Sequence, residues 1–174
     1  MRKKLDRRTK VLKLLYDNQD GYLSGEELSK QLGVSRTTIW KYINYFKDAG
    51  YKIESSSKLG YQLVNSADIL LPEEIDLKLD TDFIGQGIVH YDQVDSTNQL
   101  AKEQAENNVK EGTVILAEKQ LAGKGRIGRR FCSPQGGIWL SCILRPDLKP
   151  VFATRATYVS SLAIAKTIDQ LTSL

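Results

Sequence analysis

The sequence predicts an α+β chain in two parts, a small helical head closed by a strand hairpin and a larger part in which short strands alternate with helices. Three observations carry this expectation. Charge is partitioned: residues 1–65 hold 13 Lys and Arg against 7 Asp and Glu, residues 66–111 hold 3 against 11, and residues 112–174 hold 9 against 3, for a formal net charge of +4. Helical spacing of apolar residues dominates the first fifty positions. After residue 88, apolar runs of strand length take over, and between two of them lies G-K-G-R-I-G-R-R-F, residues 123–131. With 174 residues in all, each part is long enough to bury its own core. The boundaries expected are 1–65 for the head, 66–83 for a linker and 84–174 for the larger part.

In the head, Val11, Leu12, Leu14 and Leu15 recur at helical spacing until the loop cluster Asn18-Gln19-Asp20-Gly21. Ser24 caps the second helix, Glu27 completes a capping box, Leu28 and Leu32 face inward, and Gly33 ends it. Ser35 caps the third helix after a short turn, which makes a helix-turn-helix. Ile39, Ile43 and Phe46 form its inward stripe, leaving Arg36, Thr37, Lys41 and Asn44 outward with Thr38 among them. Arginine and lysine reach phosphates or guanine edges, threonine touches a base edge or a thymine methyl, and asparagine pairs with adenine. Trp40 either flanks that face or packs on the hairpin. Gly50 stops the helix, and residues 51–54 and 61–64 alternate as the strands of a wing with Lys58 near its tip. The partner expected is DNA. The competing reading is a protein-interaction module with a solvated basic face.

Residues 66–82 carry Glu73, Glu74, Asp76, Asp80 and Asp82 and read as a linker with a short helix, its acidity keeping it off DNA. Strands are expected at residues 88–91, 113–118 and 138–144, the last of them buried. Helices are expected at 96–107, with Ala101 and Ala105 inward, and at 153–171, packed on the sheet through Val159, Leu162, Ile168 and Leu171.

The segment 123–131 cannot bury itself. It holds three glycines and the cations Lys124, Arg126, Arg129 and Arg130, no acid, and only Ile127 as an apolar residue before Phe131. Glycines free the backbone to wrap a ligand, and the cations repel one another unless an anion sits among them. Phosphate is the expected partner, with Arg126 and Arg129 foremost because a guanidinium takes two oxygens at once. Gly123, Gly125 and Gly128 also satisfy the dinucleotide pattern G-x-G-x-x-G, but R-F-C-S-P-Q-G-G cannot open the helix that such a site requires. The plain alternative is a solvated basic segment that binds nothing. Phe131 offers a face to adenine or anchors the loop, and Trp139 is a pocket wall or ordinary core. Ser96, Thr97 and Asn98 bring hydroxyls and an amide to a helix start, where Ser96 also serves as a simple N-cap.

Taken together, Asp95-Ser96-Thr97-Asn98, Ala117-Glu118 with Gln120, the glycine loop and Gly137-Ile138-Trp139-Leu140-Ser141 resemble the biotin protein ligase family in order, spacing and content. The likeness runs from Ile88 to the end of the chain. The head, with its Gly60-Tyr61, is similar to the regulatory head of the bifunctional members. The resemblance implies a winged helix-turn-helix followed by a mixed-sheet biotin/lipoate-ligase-like catalytic domain, here truncated. It implies activation of biotin with ATP and Mg²⁺ to biotinyl-5'-AMP and transfer to a lysine of the biotin carboxyl carrier protein of acetyl-CoA carboxylase. The adenylate would serve as corepressor, driving a homodimer onto operator DNA. By the same resemblance Ser96, Thr97, Asn98, Gln120, Gly123, Lys124, Gly125 and Arg126 hold biotin, and Arg126, Arg129, Phe131 and Trp139 hold the adenylate. Arg126 assists catalysis by offsetting charge at the reacting phosphate, and Arg36, Thr37, Thr38, Lys41, Asn44 and Lys58 meet DNA. Lys124 stands where arginine is usual in the family, and Phe131 where tryptophan is common. The family's reactive-site lysine lies in a Lys-Trp-Pro-Asn-Asp segment that residues 132–174 do not contain, so this chain is expected to lack full ligase chemistry. A lipoate-type ligase and a non-catalytic winged-helix regulator sensing an anionic ligand are the rival readings.

Cys132 and Cys142 make no close-spaced ligand pair and His90 is the only histidine, so no metal site is expected. The first apolar run is broken by Lys13 and is too short for a signal peptide or a membrane span, which predicts a cytoplasmic protein with no membrane partner.

Overall fold

The computed structural model describes residues 4–172, with the side chains of Arg126 and Pro150 outside that description. In chain order the elements are α1 (Arg7–Asp17), α2 (Gly25–Leu32), α3 (Arg36–Asp48), β1 (Lys52–Ser56), β2 (Gly60–Asn65), α4 (Pro72–Lys78), β3 (Ile88–Tyr91), α5 (Thr97–Glu106), β4 (Val114–Ala117), β5 (Trp139–Cys142) and α6 (Thr154–Thr172). The chain divides into two compact units after Ile143.

Each helix of the head starts on a side-chain cap. Asp6 accepts from the Thr9 backbone amide at 2.7 Å, Ser24 from Glu27 at 3.0 Å and Ser35 from Thr38 at 3.1 Å, so each cap satisfies one of the amides a helix start leaves open. Gly33 ends α2 in the left-handed region at φ 62°. The apolar stripes meet in one core of Val11, Leu12, Leu15, Leu28, Ile39, Ile43 and Phe46, closed by Tyr51, Ile53 and Leu63 from the hairpin. β1 and β2 pair antiparallel, and Leu23 bridges Tyr61 as a third rung, its amide donating to the Tyr61 carbonyl at 2.8 Å and its carbonyl accepting at 2.9 Å. The strand expected to begin at Tyr51 begins one residue later, because the Tyr51 amide is still spent on the Phe46 carbonyl of α3.

The linker differs from its reading. Leu71 is buried in the head's core and α4 lies along α1, with Glu73 buried at 2% exposure. Arg8 forms an ion pair with Glu73 and stacks over the Tyr45 ring at 4.1 Å, while Tyr16 and Tyr51 both donate to Glu74. These two acids therefore face the head, not solvent.

Beyond α4, β4 is the central strand of a mixed sheet in the order β3-β4-β5, parallel to β3 and antiparallel to β5. α5 connects the parallel pair and buries Ala101 against Ile115 and Ile143. β5 is shorter than expected, and Ile138, Leu140 and Leu144 are exposed. The second unit holds a short 3-10 turn (Pro150–Phe152) and α6, where Arg155 lies 4.2 Å from the Phe152 ring. None of the described residues of α6 is buried, contrary to the burial its apolar spacing predicts.

Candidate ligand site and nucleic-acid interface

The segments leaving β3 and β4 continue side by side, which brings the start of α5 against Gln120. Val94 bridges Gln120 in parallel, the Leu121 amide bonds the Val94 carbonyl and the Ala122 amide the Asp95 carbonyl, both at 2.9 Å. Ser96 then caps α5 by accepting from the Gln99 amide at 3.4 Å. Thr97, buried, donates from its backbone amide to Gln120 Oε1 at 2.8 Å and from its hydroxyl to the same oxygen at 3.1 Å. Ser141 Oγ donates to Thr97 Oγ1 at 3.0 Å, and Gln120 Nε2 donates to the buried Ser133 Oγ at 3.0 Å.

From this base the loop rises as a narrow hairpin. The Phe131 amide bonds the Gly123 carbonyl at 2.8 Å, the Gly125 amide bonds the Arg129 carbonyl at 2.7 Å, and Lys124 bridges Arg130. A Cβ on Gly123 would stand 2.5 Å from the Phe131 carbonyl oxygen, so the base closes only around glycine. At the apex a 3-10 turn (Arg126–Gly128) replaces the helix of a dinucleotide site. Ile127 is 93% exposed and left-handed at φ 59°, a costly conformation for a β-branched residue. Lys124, Arg129 and Arg130 are exposed, while the Arg126 side chain lies outside the described atoms.

The predicted residues gather unequally. Thr97 and Gln120 are hydrogen-bonded; Gln120, Arg130 and Phe131 line one cleft, whereas Ser96, Asn98 and Lys124 line another with Lys102 and Glu103. Arg129 borders neither cleft. Trp139 meets Phe131 edge to face at 6.0 Å and donates its indole N–H to the Pro134 carbonyl at 2.8 Å. Ser133 was not foreseen as part of the site, nor was Ser141, although the strand period places Ser141 on the face of Trp139. Glu118, a motif residue to which the sequence assigns no role, accepts from the Leu70 amide through Oε1 at 3.1 Å and lies 2.7 Å from His90 Nε2, tying the linker to the segment after β4 that carries Gln120. On β5, burial and then the charge of Glu111 push the Cys142 thiol up, which disfavours the thiolate.

In the head, Arg36, Thr37 and Lys41 are exposed on α3, and Asn44 is half-buried. The Thr38 hydroxyl lies 2.9 Å from Ser35 Oγ and shares the helix cap. Trp40 is exposed, and with Arg36, Asn44, Lys47 and Lys58 it lines a cleft between α3 and the wing. Lys47 Nζ donates to Ser55 Oγ at 2.8 Å, fixing helix and wing together. Among the described residues, no group of three or more His, Cys, Asp or Glu gathers to hold a metal ion, and no helix is long and apolar enough to cross a membrane.

Residues 7–62 match an HTH domain, and residues 90–173 match the Biotin/lipoate A/B protein ligase family. The "Bifunctional ligase/repressor BirA" of Bacillus subtilis (strain 168) is 35% identical over 164 residues, covering 94% of this chain and 50% of that protein. The protein of the same name from Escherichia coli (strain K12) is 31% identical over 163 residues, covering 93% of this chain and 49% of that protein. The chain thus carries an HTH domain followed by a region of the biotin/lipoate protein ligase type. It spans about half the length of the curated relatives it matches. A solved structure described as biotin protein ligase from Aquifex aeolicus in complex with biotin and ATP is similar at TM-score 0.45 and 30% identity, over 51% of this chain and 36% of that one. The ligase-family match opens at His90 and holds the whole Thr97–Gln120–Ser133 network and the loop, while the HTH match holds α3 and closes within β2.

Proposed function

We propose that the protein is a bifunctional biotin–protein ligase and biotin-responsive DNA-binding repressor. It activates biotin with ATP to biotinyl-5'-AMP and passes biotin to a lysine of a biotin carboxyl carrier protein of acetyl-CoA carboxylase. The observation that carries this reading is the hydrogen-bonded Ser141–Thr97–Gln120–Ser133 network at the base of a glycine and cation loop. Hydroxyls and a carboxamide suit a neutral polar ring such as a cyclic urea, and the loop cations suit a phosphate. The two halves of an acyl-adenylate thus find their partners on adjoining segments. A lipoate-type ligase would want an apolar surrounding, and three hydroxyls with an amide argue against it. Mg²⁺ would arrive with ATP, since Mg²⁺ is commonly held by substrate phosphates with one or two carboxylates.

In this reading Ser96, Thr97, Asn98 and Gln120, with the backbone from Gly123 to Gly125, orient biotin. Arg126 and Arg129 offset charge at the α-phosphate, and Phe131 with Trp139 walls the adenylate. Loop closure excludes water that would hydrolyse the adenylate. The ordered loop then offers a surface on which two ligase regions pair, so that two α3 helices meet two half-sites of operator DNA. Arg36, Thr37, Thr38, Lys41, Asn44 and Lys58 are the contacts, in a head of residues 1–65 joined to the ligase region through 66–83. The protein works in the cytoplasm. Incubation of full-length protein with biotin and ATP labelled at the α-phosphate tests the reading: labelled biotinyl-5'-AMP retained by the protein is expected. Binding of either compound without adenylate formation would make the protein a sensor, not a ligase.

A further inference from the structure

The carboxamide of Gln120 is oriented by its surroundings before any ligand arrives. A backbone amide only donates, so the atom 2.8 Å from the Thr97 N–H is the oxygen and the other is the nitrogen. The Thr97 hydroxyl spends its one proton on the same oxygen at 3.1 Å, and so it accepts from Ser141 at 3.0 Å. On the far side Nε2 donates to Ser133 Oγ at 3.0 Å, and the Ser133 proton points to the Phe131 carbonyl at 3.4 Å. Every bond therefore runs one way, from β5 through the start of α5 and Gln120 to the base of the loop. Thr97 and Ser133 are both buried, and aligned bonds in such a setting reinforce one another. Oε1 has two donors already, whereas Nε2 has a second N–H beyond its bond to Ser133.

We propose that Ser133 is a positioning residue which, with Ser141 at the other end of the relay, locks the Gln120 carboxamide so that the ligand meets an N–H. That polarity selects a carbonyl acceptor, the oxygen of a cyclic urea, over a donor at the same place. The inference rests on the biotin reading of the site and adds the residues that enforce its polarity. Ser133 also sets Gln120 against the loop, because a Cβ on Gly123 would come within 2.8 Å of the same hydroxyl.

Two substitutions separate the possibilities. Ser133→Ala removes the acceptor of Nε2. Gln120→Glu replaces the N–H with an acceptor, while the Thr97 donors and a rotated Ser133 hydroxyl still satisfy the carboxylate. Calorimetry on the full chain would compare biotin with 2-iminobiotin, whose protonated guanidinium offers donors where biotin offers its oxygen. The wild type is expected to favour biotin. Ser133→Ala should weaken biotin about tenfold, the cost of leaving one half-buried amide N–H unpaired, and narrow its preference over 2-iminobiotin. Ser133→Thr, which keeps the hydroxyl, should restore the preference, and Gln120→Glu should reverse it. An unchanged preference in both Ser133→Ala and Gln120→Glu overturns the proposal. NMR of the ligand-free protein supplies a readout independent of biotin: the Gln120 side-chain N–H that bonds Ser133 should exchange with water more slowly in the wild type than in Ser133→Ala. If the wild type binds no biotin, the biotin reading fails and this comparison alone decides the role of Ser133, with equal exchange rates overturning it.

Discussion

Gly60 sits at φ 111°, and a Cβ there would lie 2.0 Å from the carbonyl oxygen of Leu23. That contact is backbone on backbone, so no side chain can swing aside. Gly60→Ala should therefore cost the head at least ~2 kcal/mol, read as a lower urea midpoint with an unchanged slope. The glycines of the loop were legible from composition; the need for Gly60 was not, because it arises from pairing with Leu23 far away in sequence. Caps were legible for the opposite reason. Ser24, Ser35 and Ser96 each act on an amide three residues on, a signal wholly contained in the local sequence. On α3, Lys41→Ala should weaken binding to every duplex and flatten its salt dependence, whereas Thr37→Ala should affect the specific operator alone. A filter-binding salt series on operator and unrelated DNA checks both, and no change with either variant would leave the head an interaction module.

Among the elements, α4 departs most from its sequence reading. Its acids suggested a solvated linker, yet Glu73 reaches Arg8, and Glu74 reaches Tyr16 and Tyr51, all contributed by the head. A local pattern cannot reveal that, since an acid is buried only when its partners arrive from elsewhere. The same cluster makes the head sensitive to alkali. Burial, then the bond to Glu74, holds the Tyr51 hydroxyl well above its ordinary pKa of 10.0, and burial followed by the nearby acids raises Tyr16 and Tyr45. A raised folded-state pKa contributes stability that is fully present below the unfolded value and is lost as pH rises through the folded one. The head should accordingly weaken above about pH 10 as the unfolded chain sheds protons that the folded one retains. Tyr51→Phe should be less stable at neutral pH and show a shallower alkaline decline; urea melts at a series of pH values measure both slopes, and parallel slopes would remove Tyr51 from the account. β5 and α6 show the converse of α4. Their apolar spacing predicted burial, but spacing states only which residues share a face, and Leu140, Leu162 and Ile168 are exposed.

For the molecule as a whole, a carboxylate joins the segment that leads into α4 to the ligand site. Glu118 follows β4, binds the Leu70 amide of the segment entering α4, and lies two positions before Gln120. The order of motifs made the ligand site legible as a set, since the strand–helix junction, Gln120 and the loop follow one another in the chain. The division into two clefts was not legible, because it depends on how the loop hairpin closes over Gly123. In the proposed function this hairpin is the cradle for the phosphate of biotinyl-5'-AMP. Lys124, Arg129 and Arg130 stand exposed on a hairpin whose apex is strained, so trypsin should cut within residues 123–131 readily in the free protein. The most direct measurement is the rate of that cleavage with and without biotin plus ATP, followed by mass spectrometry and repeated with Gln120→Ala. Protection by the two ligands together, lost in Gln120→Ala, is the predicted result; equal cleavage rates with and without ligand would contradict the claim.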